Sequence, residues 1–206
     1  MRKRELELLL STIPPHPSPK LELEQYATPV HLASRLLWVA AFSFHDLPAQ
    51  TVTDLGAGTG RLGIGAALMG SEYVLLVELD REALKVAIEA ARRLGVDARV
   101  DAVCADVRFL TLSRRARCAL QNPPFGVHGR GADVAFLAAA LRLAERVYSV
   151  HKAETIRYVL EKCREKGAEA ALLFEDVVRL PPTMPHHHKR EHRVRVVVVR
   201  AAPFSS

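Results

Sequence analysis

Side-chain amides are nearly missing from this chain. Its 206 residues include one asparagine, Asn122, and three glutamines, Gln25, Gln50 and Gln121. Amides are thermolabile, so their scarcity beside abundant Arg and Val fits a heat-adapted protein. A single retained asparagine is then expected to have a task. Cysteine is also sparse. Cys104, Cys118 and Cys163 stand far apart with no CxxC pair, which argues against a disulfide framework or a zinc site and leaves buried or semi-buried free thiols. No metal is expected. No apolar run reaches membrane-spanning length. The opening MRKRELELLL begins basic, but Glu5 and Glu7 break the apolar stretch. It reads as a short amphipathic helix rather than a signal peptide, so a cytoplasmic protein is expected. There is no internal repeat and no low-complexity block.

What is present suits one folded domain. The length allows a full hydrophobic core, and the apolar share of 49% is ordinary for a globular chain. The formal charge of +6 favours polyanionic partners such as nucleic acid. Residues 13–20, IPPHPSPK, are proline-rich and read as loop or extended arm. Residues 1–20 are therefore taken as an N-terminal arm and 21–206 as the domain.

From Thr28 to Phe44 apolar residues recur at helical spacing, with Pro29 in the first turn and Thr28 as its cap. The period then changes. TVTDL (51–55) reads as a buried strand, followed by a helix over Arg61–Met69. YVLLVEL (73–79) is a second strand, and Arg81–Leu94 an amphipathic helix stopped by Gly95. Segment 98–106 holds a third strand and 117–121 a fourth. Ala132–Arg146 reads as helix, RVYSVHK holds a fifth strand, and Ala153–Lys166 is another helix. Ala168–Val177 and His192–Arg200 are two more strands with no helix between them, so they are expected to pair antiparallel. The alternation predicts an α/β fold: a seven-stranded, mostly parallel sheet with one antiparallel strand and helices on both faces.

DLGAGTG (54–60) follows the first strand and opens a helix. Its glycines, Gly56, Gly58 and Gly60, allow a tight turn and close approach of a ligand. Glu78 ends the next strand, 20 residues past Gly58, the spacing at which an acid reaches ribose hydroxyls. The nicotinamide fingerprint G-x-G-x-x-G serves a pyrophosphate. Here an acid, Asp54, leads the turn; it would repel a pyrophosphate and suits a cationic amino acid moiety. That favours S-adenosylmethionine (SAM) over a turn with no ligand. Asp106, past the third strand, fits either the adenine amino group or a plain helix cap.

Asn122 lies in QNPPFG, at the carboxyl end of the fourth strand and the same sheet edge as the glycine turn. Pro123 keeps Asn122 out of the helical region, and Pro124 stiffens the turn further. The Asn122 side-chain oxygen and the Pro123 carbonyl are then two acceptors for one NH2 group. Phe125 offers a ring for a planar base, worth on the order of 1–3 kcal/mol. The alternative is a rigid turn that only ends a strand.

DLGAGTG followed by NPPFG resembles the class I SAM-dependent amino-methyltransferases, whose fold is Rossmann-like. LEQYATP (23–29), GADVAFL (131–137), VYSVHK (147–152) and the late LPPTMPHHHK narrow the likeness. In order, they resemble the methyltransferase-like rRNA adenine-N6 methyltransferases of eukaryotes and archaea, from about Leu21 to Arg200. The resemblance implies N6-adenine methylation of small-subunit ribosomal RNA. It places Gln25, Tyr26 and Thr28 in the segment that closes over SAM, and Asp54, Gly56 and Gly58 in the glycine loop. Glu78 becomes the ribose acid and Asp106 the adenine-side acid. Asn122, Pro123, Pro124 and Phe125 form the catalytic loop, and His151 and Lys152 match a pair of unassigned role. It also implies a small zinc-binding activator protein that pairs with the third-strand edge, around Ala98–Val103.

MPHHHKREHR (184–193) is a dense basic run between the last two strands. It is a solvated loop or an RNA-backbone contact, and phosphate contact is favoured. His187, His188, Lys189 and Arg190 are its candidates, with His128, Arg130, His151, Lys152 and Phe125 as further RNA-side residues. The competing activity is methylation of a glutamine amide in a translation release factor, whose NH2 group would suit the same Asn-Pro acceptors. A non-catalytic SAM-binding module would not need them.

Overall fold

The computed structural model describes residues 1–20, 24–125, 131–180 and 192–204. A seven-stranded sheet runs in the order β3-β2-β1-β4-β5-β7-β6. Its strands are β1 (Thr51–Leu55), β2 (Tyr73–Glu78), β3 (Val100–Cys104), β4 (Ala116–Gln121), β5 (Ala144–Lys152), β6 (Ala168–Leu180) and β7 (His192–Pro203). β7 is antiparallel to both β5 and β6, and the other pairings are parallel. This is the sheet expected from the sequence, with one antiparallel strand.

Successive strand residues face opposite sides of the sheet, so each central strand feeds two cores. Val52, Leu76, Leu120 and Tyr148 pack with α1 (Lys3–Ser11), α2 (Val30–Trp38), α3 (Arg61–Leu68) and α4 (Arg81–Arg93). Leu55, Val77, Ala119 and Val147 pack with α5 (Ala132–Leu143) and α6 (Ile156–Glu165). The N-terminal residues take part in the first core. Leu6, Leu10 and Ile13 are buried, each worth about 1.5–3 kcal/mol relative to exposure. That packing sustains a nine-residue helix too short to be stable alone.

Several boundaries differ from the sequence reading. The helix expected over Thr28–Phe44 is α helix only to Trp38 and continues as a π turn, Val39–Ser43. Its cap position is Pro29, with no side-chain cap bond, because the Thr28 hydroxyl has another partner. The helix expected to Arg146 stops at Leu143; Ala144 takes an extended backbone and joins the ladder opposite Ala116. A 3-10 turn, Ala153–Thr155, precedes α6. β6 reaches Leu180 and β7 reaches Pro203, both longer than expected. Cys118 and Cys163 are buried, but Cys104 is exposed on the edge strand. Among the described residues no helix is long and apolar enough to cross a membrane.

The order also fixes where a ligand belongs. From β1 the chain moves outward to β2 and β3, then returns to β4 on the other side of β1. Such a reversal opens a crevice at the carboxyl ends of the two strands. The glycine turn follows β1, and Asn122 follows β4.

Candidate functional site

The turn after β1 is tied to the sheet by Gly56 and Ala57, whose N–H groups donate to the Val77 carbonyl at 2.9 and 3.0 Å. Gly56 sits at φ +69, and a Cβ there would lie 2.8 Å from the Phe136 ring. Gly58 sits at φ +55 with nothing within 4 Å of an added Cβ, so its backbone faces open space. Gly60 is the last turn residue before α3.

Three acids surround this turn, each held differently. The Glu78 carboxylate accepts from Gly58 N at 2.8 Å, Leu79 N at 2.8 Å and Asp80 N at 3.0 Å. Three bonds leave about one of a carboxylate's roughly four acceptor positions free. Asp54 is 1% exposed and accepts from Gly63 N at 2.7 Å. Burial pushes its carboxyl up to about 7; the Gly63 bond opposes this and the Glu78 charge adds to it. A cation bound nearby would hold it ionised. Asp106 opens a turn rather than a helix. It accepts from Arg108 N at 2.9 Å and pairs with the Arg108 guanidinium, which holds its carboxyl below the usual range.

Across the crevice, the Asn122 amide nitrogen donates to the Thr28 hydroxyl at 3.0 Å. That bond assigns the amide's orientation. The Asn122 oxygen is left buried without a partner. Pro123 is buried. Phe125 N donates to the Glu24 carboxylate at 2.6 Å, and the Phe125 ring lies 5.4 Å from that of Tyr26. The Lys152 ammonium also approaches the Phe125 ring, 6.0 Å from its centroid.

Residues 13–20 and 24–28 border the crevice, where His16 and Glu24–Thr28 line it. Arg61 holds both stretches by donating to the Thr28 and Ile13 carbonyls at 2.6 and 3.2 Å. Asp80, 4% exposed, receives Lys20 Nζ at 2.8 Å and Gln25 Nε2 at 3.1 Å on one oxygen, and Glu82 N at 2.9 Å on the other. These contacts, chiefly that of Lys20, pull the Asp80 carboxyl well below its ordinary range. Tyr26 is half-buried, its hydroxyl enclosed and unpartnered, and burial with the Glu24 charge pushes its ionisation up. Gln25, Tyr26 and Thr28 line the same cavity as the glycine turn.

His16, Glu24, Arg61 and Asp80 escaped that reading. Asp80 carried a signal, since an acid preceding the amphipathic α4 is a helix cap. His16 carried none, because only the fold returns the proline-rich arm to the crevice.

His151 and Lys152 are the last two residues of β5. His151 is 1% exposed, and its Nε2 lies 2.7 Å from the Ser149 hydroxyl, which also receives Gln121 Nε2. Burial pushes the imidazole down to about 4, against the opposing pull of the Asp133 charge. His151 is thus enclosed at the carboxyl end of β5 with no exposed face for a polynucleotide, unlike Lys152. His128, Arg130, His187, His188, Lys189 and Arg190 lie outside the described residues.

One cavity of about 500 Å³ joins these parts, lined by Glu24–Thr28, Asp54, the glycine turn, Glu78, Asp106 and Asn122. Its volume is that of a typical small-molecule site. Four of its lining residues, His16, Tyr26, Arg61 and Asn122, bring polar atoms that are buried without partners. Unpaired buried groups are costly and call for a polar ligand. Ribose hydroxyls, an ammonium and a planar base match the donors and acceptors present. A nucleoside cofactor carrying an amino acid fits the residues.

Comparison with known proteins agrees with that chemistry. The family called Methyltransferase small domain matches residues 28–147. The rRNA N(6)-adenosine-methyltransferase Mettl5 of Drosophila melanogaster is 34% identical over 95% of this chain and 94% of its own length. METTL5 of Danio rerio, with the same description, is 30% identical over 98% of this chain and all of its own. The crystal structure of PH1948 from Pyrococcus horikoshii superposes with a TM-score of 0.91, at 35% identity, over 100% of this chain and 99% of that one.

Proposed function

The chain belongs to the methyltransferase small-domain family, with the rRNA N6-adenosine methyltransferases among its full-length relatives, and from that premise we propose that it methylates adenine N6 in small-subunit ribosomal RNA. The observation that carries this reading is the Asn122–Thr28 bond. By taking the amide nitrogen, Thr28 turns the Asn122 oxygen into a fixed, unpaired acceptor on the wall of the cofactor cavity.

SAM supplies a methyl group on a positively charged sulfur. Glu78 holds the ribose through its remaining acceptor position, Asp54 faces the amino acid cation, and Asp106 is the adenine-side acid. Gln25, Tyr26 and Thr28 close the cavity from above. The substrate adenine stacks on Phe125. Asn122 and the Pro123 carbonyl hold its two amine hydrogens, drawing the lone pair out of conjugation with the ring. Bound SAM would supply an electrophilic methyl group to the nitrogen so held and depart as S-adenosylhomocysteine, the amine's surplus proton passing to solvent. Positioning supplies most of the acceleration. An adenine paired within a duplex cannot present this edge, so the target is single-stranded or flipped out.

Lys152, beside the Phe125 ring, suits an adjacent phosphate. His187, His188, Lys189 and Arg190 of the basic run, with His128 and Arg130, are further candidates for phosphate contact by their charge. The small zinc-binding activator joins at β3. This strand ends the sheet, pairs only with β2 among the described strands, and exposes Asp101, Ala102 and Cys104. An unpaired edge is a template for strand addition.

The test is a methyl-transfer assay with labelled SAM, with and without the activator, on small-subunit rRNA and on the translation release factor. N6-methyladenosine at one rRNA position is expected. Label in a release-factor glutamine, with none in RNA, would replace this reading with the protein methyltransferase.

A further inference from the structure

His16 stands in the proline-rich arm, apart from every motif that marks the site. Its side chain is 7% exposed and lines the cofactor cavity. Its Nδ1 accepts a hydrogen bond from Ser18 N at 3.0 Å. An imidazole nitrogen that accepts carries no proton, so the neutral ring bears its hydrogen on Nε2. That Nε2 is buried with no hydrogen-bond partner. Asp80 makes only a longer charge contact with it, Oδ2 lying 3.5 Å away without a hydrogen bond. This oxygen is already taken by Lys20 and Gln25, and its partner by Glu82 N. The arm therefore presents one fixed, unused donor to the cavity.

Asp80 also links this donor to Glu78, because Asp80 N donates to Glu78 Oε1 at 3.0 Å. The two side chains are complementary. Glu78 is an acceptor with room for one more hydrogen, and His16 is a donor without an acceptor. A hydroxyl group satisfies both at once, donating its hydrogen to the carboxylate while its oxygen accepts from the ring. An amino group could not serve His16, having no free acceptor.

We infer that His16 is a cofactor-contact residue, donating Nε2–H to a ribose hydroxyl of SAM whose hydrogen is held by Glu78. The inference rests on the SAM reading above and adds to it a residue of the N-terminal arm. The arm is then a wall of the cofactor site, and its docking through Arg61 and Lys20 sets cofactor affinity.

Calorimetric titration tests this with S-adenosylhomocysteine and its 2′-deoxy and 3′-deoxy analogues. The proteins are the wild type, His16→Phe, which keeps a flat ring without the donor, and His16→Gln, which restores an N–H. His16→Phe should bind S-adenosylhomocysteine about tenfold more weakly, the scale of one hydrogen bond, and His16→Gln should recover part of the loss. For one deoxy analogue the Phe substitution should cost nothing further, because its partner hydroxyl is already gone. Unchanged affinity in His16→Phe would overturn the inference. So would an equal loss for all three ligands, which would make the ring a structural support for the arm. If the wild type bound none of the three, the cofactor reading itself would fall.

Discussion

Asn122 and Thr28 are 94 residues apart in sequence, yet the amide nitrogen of one lies 3.0 Å from the hydroxyl of the other. The bond joins the loop after β4 to the segment that lines the other side of the cavity. Glu24, bonded to Phe125 N at 2.6 Å, makes the same join a few residues away. The two halves of the site are thus organised together. Thr28→Val keeps the side-chain shape and removes the acceptor, freeing the Asn122 amide to rotate. Turnover should fall about tenfold, equivalent to one hydrogen bond of roughly 1.4 kcal/mol, with a smaller change in cofactor affinity. Single-turnover kinetics beside calorimetric binding would separate the two.

Asp54 gives cofactor binding a pH dependence. Its carboxyl is pushed up to about 7 by burial, so below that pH the free protein holds it protonated. The cofactor's ammonium is attracted only to the ionised form. Affinity for S-adenosylhomocysteine should therefore strengthen as pH rises through about 7, and Asp54→Asn should flatten the profile while weakening binding. Titrations at several pH values give the slope directly.

His151 gives the fold a separate acid sensitivity. Its imidazole is pushed down to about 4 by burial, from 6.5. The unfolded chain therefore binds a proton first as pH falls, and stability contributed by the neutral ring is lost between about 6.5 and about 4. A shift of that size corresponds to roughly 3 kcal/mol. His151→Gln should lose less stability than wild type over this window. Urea denaturation at the two ends of the window measures it. Asp54 acts oppositely: its raised carboxyl costs stability as pH climbs from about 3.8 to about 7, so the comparison must be between variants at each pH.

A buried charge group holds the strand ends away from the crevice. Asp46, 1% exposed, accepts from the Tyr148 hydroxyl at 2.8 Å and from Arg200 Nε at 3.0 Å. Arg200 also stacks over Phe44, 4.3 Å from its centroid. Asp46→Ala leaves an arginine and a phenol hydroxyl without their shared acceptor, which should cost about 3 kcal/mol. None of these residues lines the cofactor cavity. Denaturant unfolding should show the loss, and cofactor affinity below the transition should be unchanged.

The sheet was legible because its signals are local. Buried runs such as YVLLVE and the glycine turn DLGAGTG report their own conformation, and the reversal of strand order then delivers Asn122 to the same crevice. Helix ends were less legible. The alanine-rich run from Ala132 keeps helical spacing past Leu143, but Ala144 finds a better partner in the β4 ladder. A π turn likewise ends α2 without any proline or glycine to announce it. The site divides in the same way. Asn122, Glu78 and the glycines sit in motifs, whereas His16 and Asp80 become neighbours only when the arm folds back over α4. Thr28 was read as a cap from its place before Pro29, and its bond to Asn122 could not be seen from either residue's surroundings.

The most direct measurement is methyl transfer to small-subunit rRNA by Asn122→Ala, run beside calorimetric binding of S-adenosylhomocysteine. Removing a fixed acceptor from the reacting amine should lower turnover by on the order of 10²–10³-fold and leave cofactor affinity close to that of wild type. Wild-type turnover in this variant would mean that the amine is not held by Asn122, and the proposed chemistry of the loop would fail.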